Sequence, residues 1–483
     1  MTKHKTVFVS GNFNILHPGH LRLLRFAREL GEKLIVGVHS DRIGGQGVHI
    51  PQQLRLEGVK CNNWVSEALL VDEPVTDILA RLKPDVVVKG KEFEDAYNPE
   101  LEVLEAYGGR LVFSSGDVAF SSVDLIRKSF SSGEAAIQQI PSSFSHRHGF
   151  INQDLHSVVE GFSDLKVCVI GDLIIDEYIT CDPLGMSQED PCIVVKPVDT
   201  QKFVGGAGIV AAHAAGLGAK VQLISVGGKD AVLEFAQSAL EDYGVEAHLF
   251  VDENRPTTLK QRYRAQNKTL LRVSHLHQGS VGKALQERML KQITDSIKGF
   301  DLLVFADFNY GCLPQVLVNE LVAAGKRHQL TMAADSQCSS QIGDISRFQD
   351  MHLITPTERE VRVSLRNQED GLAVIAERLR VQAKAKNIML KLGAEGVLLH
   401  MNNGDQEPFT DRLPALNNSP LDVAGAGDSM LISAGMSLAG GANPWQAAAI
   451  GSIAAALQVS RLGNTPLQRE EFIRTLLYQD SVY

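Results

Sequence analysis

Residues 166–178 read KVCVIGDLIIDEY. The first six, KVCVIG, are short, apolar and rich in β-branched side chains, and they end on glycine. That pattern predicts a buried strand followed by a sharp exit. Two carboxylates, Asp172 and Asp176, follow the strand, where they are placed to accept hydrogen bonds. Similar runs recur at 220–226, 301–306, 330–335, 351–354, 387–392 and 396–400. Helical patterns fall between them, with long ones near 230–243, 283–298, 314–327, 370–385, 428–440 and 444–460. Apolar runs alternating with helices predict an α/β fold with a parallel sheet covered on both faces. Two extended, alternating segments, around 190–204 and 256–273, do not fit that sheet. They predict a small separate sheet, a β lid on a doubly wound domain.

The same rhythm appears earlier in the chain. Strands are predicted at 6–10, 33–40, 85–89 and 110–114, with helices at 21–30, 74–82 and 98–107. After Phe130 the pattern stops. Residues 131–163 are rich in Ser, Gln and His and contain no strand, with one helix near 152–161. They read as a linker, in which His146, Arg147 and His148 form a solvated loop. The expected organisation is therefore a first domain over 1–130, a linker over 131–163 and a second domain over 164–483.

Composition narrows the function. Hydrophobic residues are 44% and charged residues 22% of the 483, which is ordinary for a globular chain. Forty-seven Lys+Arg against 57 Asp+Glu leave a net charge of −10, most of it outside residues 1–130. Such a chain is a poor general binder of polyanions, so no nucleic-acid partner is expected. No apolar run reaches the ~18 residues of a membrane span, and the start has no signal-like apolar core. Six scattered cysteines without a CxxC pair suit a reduced, cytoplasmic protein. Any phosphate must then be bound by a local site.

Two constellations offer such sites. In the first domain, the strand at 6–10 runs into Gly11-Asn12-Phe13-Asn14-Ile15-Leu16-His17-Pro18-Gly19-His20 and then a helix. His17 and His20 lie three apart at a helix entrance. Both imidazoles can therefore face an anion held by the free N–H groups and the helix dipole. In the second domain, Asp422-Val423-Ala424-Gly425-Ala426-Gly427-Asp428 also opens a helix. Small residues let the backbone N–H groups of 425–428 converge on an anion, beside which Asp428 suits a general base. Gly205-Gly206-Ala207-Gly208, again before a helix, allows a substrate close to the backbone.

The first stretch resembles the HxGH signature of the nucleotidylyltransferase family, on a Rossmann-like fold. The resemblance extends over residues 5–130. It implies His17 and His20 in catalysis, and Gly11, Phe13, Asn14, Arg55, Lys89, Ser121 and Ser122 around the nucleotide and its phosphates. The family's usual aspartate is Asn14 here. Residues 166–470 resemble the ribokinase-like (PfkB) carbohydrate kinases. That likeness implies Asp428 as catalytic base and Gly425, Ala426 and Gly427 as anion hole. It also implies Asp172, Asp176, Gly205, Gly206 and Arg262 around the sugar, and Glu360 as the metal-linked glutamate. The runs GDLIIDEY, SQEDPCIVV and GGAGIVAAHAAGLGAKVQLISVGGKD are most similar to the family that joins a heptose 7-phosphate kinase to a heptose 1-phosphate adenylyltransferase. There the kinase comes first; here it comes second. This chain departs from that pattern at Ile209, Ala424, Thr357, Tyr310 and Gln337.

The resemblance implies a bifunctional enzyme that phosphorylates a sugar phosphate and makes a nucleotide-activated sugar of the ADP-heptose type, a precursor of lipopolysaccharide or another envelope glycan. Its cofactors would be ATP and Mg²⁺, with CTP open as the nucleotide of the first domain. Lids of such kinases pair subunits, so a homodimer is expected. The alternative is that one domain is degenerate and serves as a regulatory ligand-binding module.

Overall fold

The computed structural model describes residues 5–14, 16, 18–44, 48, 50–90, 97–114, 137–265, 268–337, 343–404 and 406–478. His17, Ser121 and Ser122 lie outside them. The chain divides into two compact units, Met1–Ala135 and Ala136–Tyr483.

The first unit holds a five-stranded parallel sheet. Its order is Glu67–Val71, Lys33–His39, Thr6–Gly11, Val86–Gly90, Arg110–Ser114. This is the 3-2-1-4-5 arrangement of a Rossmann-like sheet. Both faces are buried. Val7, Val9, Val36, Val38, Val86 and Val88 pack against Leu24 and Ala27 of the helix Pro18–Glu29. Phe8, Ile35 and Val87 pack against Ile78, Leu79 and Leu104 on the other side. Double burial explains why these strands read as continuous apolar runs. The edge strand Glu67–Val71 was not expected, because EALLV has one β-branched residue and begins on a charge.

The second unit holds a nine-stranded sheet. In spatial order it runs Glu246–Val251, Lys220–Gly227, Lys166–Gly171, Leu302–Asp307, Thr331–Ser336, Leu353–Ile354, Asn387–Lys391, Val397–Asn403, Gln406–Leu413. The first seven strands are parallel and the last two antiparallel. A separate four-stranded sheet, Lys268–His275, Thr258–Ala265, Leu173–Met186, Ile193–Gly206, is the expected lid. One of its strands, Leu173–Met186, follows the first strand of the main sheet directly. Among the described residues no helix is long and apolar enough to cross a membrane.

The expected linker is corrected by the structure. Residues 131–136 lie outside the described set, but from Ile137 onward the segment belongs to the second unit. Ile137, Ile140, Phe144, Phe150, Leu155, Val159 and Phe162 are buried in the same core as Val167 and Val169. They sit on or beside two short helices, Ser142–Arg147 and Asn152–Glu160. His148 is no solvated loop residue. Its ring stacks on Trp445 at 3.7 Å and 11°, and its Nε2 lies 2.8 Å from Asp411 Oδ2. The apolar side chains were masked in the sequence by the Ser, Gln and His between them. Phe144→Ala should therefore destabilise the second unit by about 3–5 kcal/mol, the cost of emptying a buried aromatic site. Chemical denaturation followed by Trp445 fluorescence measures it, whereas a true linker residue would change nothing.

Candidate active site

In the second unit the parallel strands all end at one edge, and there the motifs meet. The helix Ala426–Ala439 starts from Gly425, whose φ of 78° is left-handed. A side chain there would also collide with Asn464 Oδ1, at 2.4 Å from an added Cβ. Glycine is required on both counts. Gly425, Ala426, Gly427 and Asp428 border a cavity of about 800 Å³, together with Asp176, Gly206, Lys260, Arg262, Arg272, Gln337, Glu360 and Lys391. The expected anion hole, the expected base and part of the expected sugar set are thus brought together.

Asp428 is buried, and its Oδ1 accepts a hydrogen bond from Gln337 Nε2 at 3.0 Å. Burial, with Asp335 adding repulsion, pushes its carboxyl up to about 7, although Lys391 pulls the other way. Asp335 is pushed up to about 6 by burial and is opposed by Lys391, whose Nζ is 2.6 Å from its Oδ2. Burial draws the Lys391 ammonium down. Asp335 and Glu360 outweigh that, with Asp428 helping, and its pKa is raised. A cation among three acids thus forms one wall of the cavity.

The expected sugar residues separate. Asp176 pairs with Arg262 Nη2 at 2.9 Å, and both border the cavity. Arg262 also lies over the Tyr178 ring at 5.3 Å. Gly205 backs the Asp176 carboxylate, since a Cβ there would sit 2.7 Å from Oδ2. Asp172 is different. Its oxygens accept the backbone N–H groups of Phe308, Tyr310 and Cys312 at 2.8, 3.2 and 3.0 Å. Its carboxylate clamps the loop after Leu302–Asp307 and is not among the groups that border the cavity. Burial, with Asp307 nearby, pushes it up to about 6.

Glu360 borders the cavity but is also half of a capping box. Its Oε2 accepts Thr357 N–H at 2.6 Å, while Thr357 Oγ1 accepts Glu360 N–H at 3.3 Å. Among the described residues no group of three His, Cys, Asp or Glu is arranged to hold a metal ion. Mg²⁺ needs no such cage. It keeps several waters and is held by one or two carboxylates plus substrate phosphates. A hard carboxylate beside an anion-sized helix start fits that mode.

Sequence reasoning missed Lys391 and Asn464, and it noted Gln337 only as a departure from the family pattern. Lys391 had a signal: it ends the apolar strand NIMLK, where a charge is out of place unless paired. Arg272 borders the cavity from the lid, facing Arg262 across the strand pair.

In the first unit, Phe13 is buried, with φ of 47°, and its ring lies 5.0 Å from that of His20. Gly11 ends the first strand and Asn14 is buried. Lys89 Nζ is 2.9 Å from Glu100 Oε1. Arg55 is not placed as expected. Its side chain is fully buried. Nε donates to Ile50 O at 2.7 Å, Nη1 to Asn12 O at 2.6 Å and His39 O at 2.8 Å, and Nη2 to Asp41 Oδ1 at 2.5 Å. The guanidinium ties the ends of two strands together instead of facing a phosphate.

Residues 164–470 match the pfkB family of carbohydrate kinases, and residues 8–116 match the cytidylyltransferase-like family. The chain belongs to the pfkB family. Its relatives include the bifunctional protein HldE of Desulfatibacillum aliphaticivorans, 30% identical over 337 residues, covering 68% of this chain and 67% of that one. HldE of Helicobacter pylori is also 30% identical, over 311 residues covering 63% and 65%. The chain thus spans about two thirds of the length of these relatives. In this pfkB protein the two domains stand in the reverse of the HldE order, and their families are those of a bifunctional transferase. The fold of the second unit is that of ribokinase from Thermotoga maritima, with a TM-score of 0.51, 21% identity and coverage of 65% and 99%. It is equally that of phosphofructokinase-2 from Escherichia coli, with a TM-score of 0.54, 16% identity and the same coverage.

Arg55→Ala would leave buried carbonyls unpaired at about 1–3 kcal/mol each. It should therefore lower the melting temperature of the first unit sharply, with nucleotide binding lost only as the unit unfolds. Calorimetry on the full chain separates this from a phosphate role, which would weaken binding without moving the melting temperature.

Proposed function

We propose that the second unit uses ATP to phosphorylate a sugar that already carries a phosphate, and that the first unit joins a sugar 1-phosphate to a nucleotide. The observation that carries the kinase reading is Asp428, buried at the start of a helix in the same cavity as Asp176 and the lid cations. Asp176 would orient the sugar hydroxyls, and Gly206 would let the ring approach the backbone. Asp428 takes the hydroxyl proton as the oxygen attacks the γ-phosphorus. The N–H groups of 425–428 offset charge on the transferring group. Mg²⁺, held through Glu360, would supply charge neutralisation on the nucleotide phosphates. Lys260, Arg262 and Arg272 give the lid side a positive lining, which suits a substrate with a phosphate of its own.

In the first unit the sugar phosphate oxygen would attack the nucleotide α-phosphate and release pyrophosphate. His17 and His20 would stabilise the charge there, with Lys89, Ser121 and Ser122 on the remaining phosphates. ATP and CTP both suit this site. The likeness to HldE supports a heptose and an ADP-heptose-type product for an envelope glycan such as lipopolysaccharide, made in the cytoplasm. A second reading is favoured by Arg55, whose guanidinium is spent on the backbone, and by Asn14. In it the first unit binds a nucleotide as a regulatory module without transfer.

The two readings part in a coupled assay with heptose 7-phosphate and ATP. Asp428→Asn should reduce ADP formation by at least about 10³-fold, while pyrophosphate release from added heptose 1-phosphate continues. Because the active form of Asp428 is the carboxylate, kcat/KM for the kinase step should rise with pH through about 7 and fall below it. A profile flat from pH 6 to 8 would remove Asp428 as base.

The lid also supports a homodimer. Leu184, Met186, Ile193, Val198 and Leu271 are all more than half exposed on its strands. Exposed apolar side chains on a thin sheet call for a cover, and a second copy supplies one. Sedimentation should give a dimer for the wild type and a monomer for Leu184→Asp/Val198→Asp; a wild-type monomer would exclude this.

A further inference from the structure

Lys391 has one function already described, pairing with Asp335. Pairing alone does not account for its position. The ammonium borders the cavity together with Gly425, Ala426 and Gly427. A methyl group added to Gly427 would come within 3.0 Å of Lys391 Nζ. The ammonium and the first turn of the helix Ala426–Ala439 therefore bound the same small volume. An ammonium has three N–H donors, of which Asp335 Oδ2 accepts one at 2.6 Å. The ion pair is almost closed to water, with side-chain exposures of 13% for Lys391 and 3% for Asp335. A cation at that place adds to the field of the helix N-terminus, and both act on whatever anion occupies the space between them.

We propose that Lys391 is a catalytic residue of the kinase unit, donating hydrogen bonds to the γ-phosphoryl group of the bound nucleoside triphosphate as that group passes to the sugar. The inference rests on reading this cavity as the kinase site. In the step, the sugar oxygen forms a bond to the γ-phosphorus and its proton goes to Asp428. The bond from that phosphorus to the β–γ bridging oxygen breaks, and the electron pair leaves with the nucleoside diphosphate. Lys391 keeps its proton throughout. It acts on the equatorial oxygens of the group in flight, where a placed positive charge is worth most.

Lys391→Met alone leaves Asp335 as an uncompensated buried charge and endangers folding. The informative comparison is therefore Asp335→Asn against Asp335→Asn/Lys391→Met in the full chain. The double variant should lose a further factor of about 10² or more in kinase kcat/KM, the scale for one electrostatic donor to a transition state. By calorimetry it should also bind adenylyl-imidodiphosphate at least about tenfold more weakly, with ADP changed by less than about threefold, because ADP lacks the contacted group. Equal weakening of both nucleotides, or no weakening of either, overturns the proposal and leaves Lys391 as a counter-ion to Asp335. If the wild type turns over no sugar phosphate, the kinase reading fails by itself. The contrast between the triphosphate analogue and ADP then still decides whether Lys391 contacts the γ-phosphoryl group.

Discussion

In a parallel sheet every strand delivers its last residue to the same edge, and the second unit depends on that constraint. Gly171, Asp307 and Ser336 end neighbouring strands, with Ala306 level with both Gly171 and Asp335. Lys391 ends a strand two places further on and bridges to Thr357. Residues up to more than two hundred positions apart in sequence are thus set side by side. The helix from Ala426 then directs its N-terminus at that row. The apolar interior of the strands fixes their depth in the core, and their depth fixes where the polar ends emerge.

That arrangement has an electrostatic cost, which sets the character of the site. Three carboxylates, Asp335, Glu360 and Asp428, are brought into a poorly hydrated space. Burial alone would favour the protonated forms of Asp335 and Asp428. Lys391 offsets part of this, and Asp335 and Asp428 remain well above the ordinary carboxylate range. The result is a carboxyl near 7 at a helix N-terminus, a proton affinity set by its buried surroundings. Stability and chemistry are coupled here: whatever neutralises the acids also sets the proton affinity of Asp428.

Much of this was legible in the sequence. Seven strands of the main sheet, the lid and the long helices follow from apolar periodicity and β-branched runs. The glycine-rich helix starts marked the cavity, because few residues other than glycine can occupy Gly425. The strand Gln406–Leu413 is an antiparallel edge with charged and polar residues, so it carries no apolar run to detect. The segment from Ile137 to Phe162 was misread because its few large apolar side chains are spaced irregularly among Ser, Gln and His. Such residues are buried by tertiary packing, as His148 is against Trp445, and not by any local period. Asp172 was hard to place for a different reason. A carboxylate after a strand end serves a substrate or a loop equally well, and only the three backbone N–H groups aimed at it decide between them.

Arg55 and Lys391 make the same point from opposite sides. Both are cations sunk into an α/β unit of an acidic chain, and a cation count would treat them alike. Arg55 donates to three carbonyls and one carboxylate, so its planar fork is consumed by the backbone it holds together. Lys391 has a compact head, one carboxylate contact and a place on the cavity wall. A guanidinium with every face engaged confers rigidity, because each contact would have to break before it could turn to a ligand. An ammonium with a single strong contact can share its field with an arriving phosphate at little structural cost. The position of −10 net charge thus matters less to phosphate binding than which cations have geometry left to give.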